Sequence, residues 1–158
     1  MTRIGATGHQ RIPDSAQPAV LSGIREIIRA ALPPLVAITS LAAGADQAVA
    51  NEVLAVDGKL EVIVPCRRYE RSFQSSAAAK EFRSLLSRAD DVTRLDYEEP
   101  SEEAYWAAGR AVVDRSDLLL AVWDGQPARG LGGTADVVAY AREIGTPVRI
   151  VWPTGAVR

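Results

Sequence analysis

The sequence predicts a Rossmann-like three-layer α/β/α sandwich with a mostly parallel sheet of about six strands. Two observations carry that reading. Short apolar runs alternate with longer amphipathic stretches along the chain, and several of the runs are almost continuously hydrophobic. Continuous apolar strands are the mark of a parallel sheet covered on both faces, and regular alternation with helices implies right-handed crossovers. The 158 residues show no repeat, low-complexity tract or shift in composition, which fits one domain over residues 1–158.

The first strand is expected at residues 3–6 and leads into a glycine-bearing turn. Over 15–32, Val20, Ile24, Ile27, Ile28 and Ala31 recur at helical spacing and form one buried stripe. Pro33 and Pro34 end that helix, because proline cannot continue its hydrogen-bond ladder. A second strand at 36–41 is followed by a helix at 45–56, which stops at Asp57-Gly58. The remaining strands fall at 61–65, 91–95, 118–123 and 148–152, with helices at 71–88, 101–115 and 133–144 between them.

Composition narrows the function. Eighteen Lys plus Arg against twenty Asp plus Glu give a net charge of −2, so broad attraction to nucleic acid or to an acidic membrane is not expected. One His and one Cys are too few to build a His/Cys zinc site, and no carboxylate cluster replaces them. Cys66 has no partner for an internal disulfide, which fits a reducing cytoplasm. Residues 1–9 lack the basic-then-apolar pattern of a signal peptide, and the longest apolar runs are too short to cross a bilayer.

In open α/β sheets, ligands bind beyond the carboxyl ends of the strands, so the segments just after each strand are the informative ones. Four stand out. After the first strand, GATGHQR at 5–11 offers two glycines for close backbone approach, the Thr7 hydroxyl, the amide of Gly8, the His9 imidazole and the Arg11 charge. His9 is read either as a ligand contact or as a loop-ordering side chain. After the second strand, SLAAGAD at 40–46 brings Gly44 and Asp46 to a helix start. Asp46 there either complements the positive helix end or accepts a hydrogen bond from a ligand.

The third segment, PCRRYER at 65–71, carries Arg67, Arg68 and Arg71 around a tyrosine. These arginines could pair with phosphates, though a solvated helix start is the plainer account of each. Cys66 is expected to be a small buried hydrophobe. The fourth is the most specific: WDGQ at 123–126 and GLGGTAD at 130–136 follow an apolar strand and open a helix. Glycine-freed amides at Gly132 and Gly133, with the Thr134 hydroxyl, make an anion site that needs no cationic side chain. Asp136 either reads ribose hydroxyls or complements the helix end.

Taken together, GATGHQR, SLAAGAD, VIVPCRRYERSF, SDLLLAVWDG and GLGGTADVVAYAR resemble the SLOG superfamily of Rossmann-like proteins, over about residues 4–153. That superfamily includes Smf/DprA-type DNA-processing proteins, LOG-type phosphoribohydrolases, molybdenum-cofactor carriers and nucleotide-signal sensor domains. The likeness is nearest to small stand-alone or sensor-type members. It implies phosphate binding by Gly132, Gly133 and Thr134, with the first loop facing the same cleft. It does not carry over catalysis. Where the phosphoribohydrolases have glutamate three residues after the threonine, this chain has Val137, and their partner arginine falls at Ala108. Arg110 lies two residues on, which turns it to another helix face.

The expectation is a cytoplasmic, non-catalytic binder or sensor of a nucleotide-derived phosphate ligand, such as an ADP-ribose-type species or a nucleoside phosphate. No cofactor beyond that ligand is required. A phosphoribohydrolase with an altered active site and a molybdenum-cofactor carrier are the alternatives. The resemblance also implies a homodimer, for which Tyr105 and Trp106 are candidate interface residues and equally candidate core residues. Nucleic acid is not an expected partner, though Arg67, Arg68 and Arg71 leave a local patch to examine.

Overall fold

The computed structural model describes residues 1–127 and 130–153. Its six strands are β1 (Thr2–Gly8), β2 (Leu35–Thr39), β3 (Lys59–Val64), β4 (Asp91–Arg94), β5 (Leu118–Val122) and β6 (Val148–Val151). Five α-helices lie between them: α1 (Gln17–Ala30), α2 (Ala45–Ala55), α3 (Ser76–Ser87), α4 (Glu102–Asp114) and α5 (Thr134–Ile144). All strand pairs are parallel, in the order β4-β3-β2-β1-β5-β6. The expected α/β sandwich and its six strands are therefore present.

Alternation along each strand builds the two cores, because successive side chains leave opposite faces of the sheet. In β3, Leu60, Val62 and Val64 join Ile4, Leu120 and Val122 against Val20 and Ile24 of α1, Val49 and Val53 of α2, and Phe82 and Leu85 of α3. From the other face, Leu119 and Ala121 of β5 meet Val137, Val138 and Ala141 of α5. Val36, Ile38 and Ile63 on that same face meet Ala108 and Val112 of α4. The α1 stripe is buried as its spacing predicts, with Val20, Ile24, Ile27 and Ile28 in the core. Ala31 packs at its margin.

Two helix starts differ from the sequence reading. The first helix begins at Gln17, with Asp14–Ala16 forming a separate 3-10 turn ahead of it. The third was expected from residue 71, but Tyr69–Ser72 is a 3-10 turn and α3 begins at Ser76. Ser75 sets that start: its hydroxyl accepts the Ala78 N–H at 3.1 Å, and its extended φ of −125° keeps it outside the helix. Tyr69 and Phe73, either side of that expected start, pack their rings on Phe82.

The strand order decides where a ligand can sit. After β1 the chain turns to β2 and works outward to β4; it then returns to β5 on the other side of β1. The carboxyl ends of β1 and β5 therefore flank the point where the winding direction reverses, the place where this class of sheet opens a crevice. Both glycine-bearing turns, after β1 and after β5, stand at that point.

Candidate functional site

A cleft of about 970 Å³ opens above the carboxyl ends of the strands. All four segments singled out from the sequence contribute to its wall: Thr7, Gly8, His9 and Arg11; Ser40 and Asp46; Tyr69; and Gly132, Gly133 and Thr134. Close packing of the strand ends is what brings the loops together. A Cβ on Gly8 would lie 2.5 Å from Ala45 Cβ and 2.7 Å from the Val122 carbonyl oxygen. Only glycine lets β1, β5 and the start of α2 converge there.

The two helices that begin at the cleft are capped differently. Gly44, the N-cap of α2, sits directly on the first loop, and the Ala45 N–H donates to the His9 carbonyl at 3.1 Å. Gln47 N–H donates to Ala42 at 3.3 Å. The first turn of α2 is thus largely satisfied by protein. At α5, Gly133 takes the N-cap position, so Thr134 is the first helical residue and not the cap. Among the described residues, the N–H groups of Gly133, Thr134 and Ala135 meet no protein acceptor, and all three residues line the cleft. That turn is where an anion finds free donors.

Gly132 has a different job from the one its motif suggests. Its φ is +84°, and a Cβ on it would lie 2.7 Å from the backbone nitrogen of Trp106. The glycine seats the loop on the α4 backbone. Its N–H is already engaged, donating to Asp136 Oδ2 at 3.1 Å. Asp136 consequently clamps the loop that precedes its own helix and is absent from the cleft wall. Of the two aspartates, Asp46 is the one that lines the cleft.

Asp46 uses the same clamp, accepting the Ala42 N–H at 3.2 Å on Oδ2, but it is also on the cleft wall. Burial pushes its carboxyl up to about 7, against the opposing pull of hydrogen bonds from Ala42, Thr39 and Ser40. Neither simple helix-end complementation nor an exposed ligand contact describes it. It is a buried carboxyl with one side toward the cleft.

His9 is 8% exposed and joins the two turns at the switch point. Its N–H donates to the Val122 carbonyl at 3.0 Å, and its ring packs edge-on against Trp152 at 5.2 Å. Nε2 lies 3.0 Å from the Asp124 backbone nitrogen and 3.3 Å from Asp124 Oδ1. Both contacts tie the first loop to the residue that follows β5. Loop ordering is the role this arrangement supports.

The arginines separate cleanly. Arg11 reaches the cleft rim and donates to Gln74 Oε1 at 2.7 Å. Arg67 is paired with Asp96 at 2.9 Å and Glu98 at 3.3 Å, Arg68 with Glu99 at 2.7 Å, and Arg71 with Glu99 at 3.5 Å. None of those three lines the cleft. The sequence could not show this, because the acids arrive from the loop after β4, about thirty residues away. Arg110 lies over the Trp106 ring at 5.2 Å and away from the cleft, on the face its helical offset predicts.

Tyr105 and Trp106 are both half-buried within the chain. Tyr105 faces the cleft beside Tyr69, their rings 6.4 Å apart, and Trp106 meets Tyr140 at 5.8 Å. Cys66 is buried as expected, and burial raises its thiol pKa. Among the wall residues that escaped the sequence reading are Glu102 and Gln74. Glu102 reads in sequence only as an acid in a helix's first turn, and Gln74 as a polar loop residue. Ala108 and Val137 are each 2% exposed and contribute to the cleft wall. No helix of the described residues is long and apolar enough to cross a membrane.

These features define a Rossmann-like α/β domain with a cleft at its switch point. Comparison with solved structures agrees on the fold. The chain superposes on DNA processing protein A from Helicobacter pylori, a structure described for its single-stranded DNA binding mode, with a TM-score of 0.67 and 17% identity. It superposes on DprA from Streptococcus pneumoniae with a TM-score of 0.68 and 17% identity, and on the structural-genomics target TM1055 with 0.57 and 13%. These matches cover 94%, 95% and 94% of this chain, but 64%, 50% and 72% of the others, so it spans only part of the DprA proteins. Neither a protein-family model nor a curated protein matches the chain.

Proposed function

We propose that the cleft binds a nucleotide-derived phosphate ligand, of the nucleoside-phosphate or ADP-ribose type, and does not turn it over. The observation that carries this reading is the open first turn of α5, whose Gly133, Thr134 and Ala135 amides line a cleft of about 970 Å³. Arg11 is the lone arginine or lysine on the described part of that wall. Backbone donors and a helix end, which supply partial positive charge without side chains, therefore hold the phosphate.

The non-catalytic half rests on Ala108 and Val137. Cleaving an N-glycosidic bond needs charge stabilisation for an oxocarbenium-like transition state and a base for water. Two buried apolar side chains at these positions supply neither. Titration calorimetry with nucleoside monophosphates, ADP-ribose and NAD, followed by product analysis, tests both halves. Binding without release of ribose 5-phosphate is expected. Release of ribose 5-phosphate would overturn the non-catalytic part, and absence of binding would overturn the whole reading.

A further inference from the structure

We propose that the amino end of the sheet, opposite the cleft, is a self-complementary surface that pairs two copies of this chain about a two-fold axis. The carboxyl ends of α1 and α2 and the start of β2 frame an apolar pocket there of about 560 Å³, lined by Ile28, Ala31, Pro33, Pro34, Leu35 and Val56. Leu32, between Ala31 and Pro33, is 74% exposed, the most exposed large apolar side chain among the described residues, and Val56 is 52% exposed. Large apolar side chains grouped around an apolar hollow mark an association surface, whereas single scattered ones do not.

The turn that presents Leu32 is fixed. Its carbonyl accepts the Thr2 hydroxyl at 2.8 Å, and the Pro34 carbonyl accepts the Thr2 N–H at 3.0 Å. Both bonds anchor the turn to β1, so little order is lost when a partner covers it. Val56 is held likewise: after α2 the Asp57 N–H donates to the Leu54 carbonyl at 3.1 Å and the Gly58 N–H to that of Val53 at 2.9 Å.

The charges on the rim name the occupant. Arg25 of α1 and Glu52 of α2 pair across the seam between the helices at 3.0 Å. One helical turn further along each stand Arg29 and Val56, so Arg29 finds no acid across that seam. Arg29 and Asp57 both line the pocket, and neither joins an ion pair among the described residues. Asp57 stands just past the negative end of α2, where a carboxylate is unfavourable unless a cation meets it. One base and one acid cancel, so the pocket offers no net field to an anionic lipid surface or to a charged peptide. A second copy matches both charges at once. About a two-fold axis, Arg29 of each copy meets Asp57 of the other, and each Leu32 enters the opposing pocket. Both clefts then open at the far ends of the pair.

Sedimentation equilibrium at micromolar concentration tests the pairing. The wild-type chain is expected at twice the 16.9 kDa of one chain, and Leu32→Glu as a monomer with wild-type circular dichroism. Arg29→Asp and Asp57→Lys each set like charges against one another at both contacts, and each should weaken the dimer by about tenfold or more. Mixed in equal amounts, these two variants bring opposite charges together twice, and the tight association returns. A misfolded chain cannot give that recovery. A monomeric wild-type chain overturns the proposal. So does a dimer that survives Leu32→Glu, which would place the interface elsewhere, as at Tyr105 and Trp106. Folded variants that associate no better mixed than alone overturn it too. Should Asp57→Lys not fold, Leu32→Glu decides, because so exposed a side chain is replaced without disturbing the core.

Discussion

Val137 of α5 packs against the backbone of Gly109 in α4, so closely that a Cβ on Gly109 would lie 2.7 Å from Val137 Cγ2. Both residues line the cleft, and their contact sets how near the two helices approach beneath it. A β-branched valine in a helix has little rotamer freedom with which to yield.

Gly109→Ala is accordingly expected to lose stability even though alanine is the better helix former. The propensity gain of about 1 kcal/mol is outweighed by overpacking of about 1–3 kcal/mol. Combining it with Val137→Ala removes the clash, so the two substitutions are non-additive in urea unfolding. Additive effects would show that the contact is not tight.

Asp46 ties stability to pH. Its carboxyl titrates at about 7 when folded and at 3.8 in the unfolded chain, because burial disfavours the charge. A raised folded value means that the folded state holds the extra proton. That contribution is complete below the unfolded value and is lost as pH rises through about 7. Relative to Asp46→Asn, the wild-type chain should lose roughly 2–3 kcal/mol between pH 5 and pH 8. Urea midpoints for both proteins at the two pH values check this, and parallel behaviour would contradict it.

Asp136 holds the loop that delivers the phosphate donors. Asp136→Ala frees the Gly132 amide, and a loss of about 0.5–2 kcal/mol is expected, as for a removed helix cap. Nucleotide affinity should fall with it, since the donors of Gly133 and Thr134 are no longer pre-set. A variant that binds as tightly as wild type would show that the clamp plays no part in the site.

The arginines at 67, 68 and 71 are cancelled as a field by Asp96, Glu98 and Glu99. Exposed pairs of this kind contribute little stability, but they leave no net patch for a phosphate backbone. Anisotropy with an oligo-dT strand is expected to show weak binding by the wild-type chain. Glu98→Gln with Glu99→Gln should introduce binding that weakens between 50 and 200 mM salt. Tight, salt-sensitive binding by the unmodified chain would refute the cancellation.

The six strands, the helix stripes and the glycine-bearing turns were legible in the sequence because they depend on local periodicity and backbone preference. Val20, Ile24, Ile27 and Ile28 announce a buried helix face whatever lies beyond it, and the apolar run at 118–122 announces a covered strand. Which turns meet was not legible. That β5 returns beside β1 is a matter of strand order, and it alone puts GATGHQR next to GLGGTAD. The same holds for side chains whose partners are distant in the chain. Arg67 finds its acids about thirty residues on, and Asp136 closes its own loop instead of facing a ligand. Asp46 is driven into the cleft wall by the packing around it. Local sequence specifies how each segment prefers to fold; burial, charge pairing and free hydrogen-bond donors belong to the assembled surface, because they depend on neighbours that only tertiary packing brings into contact.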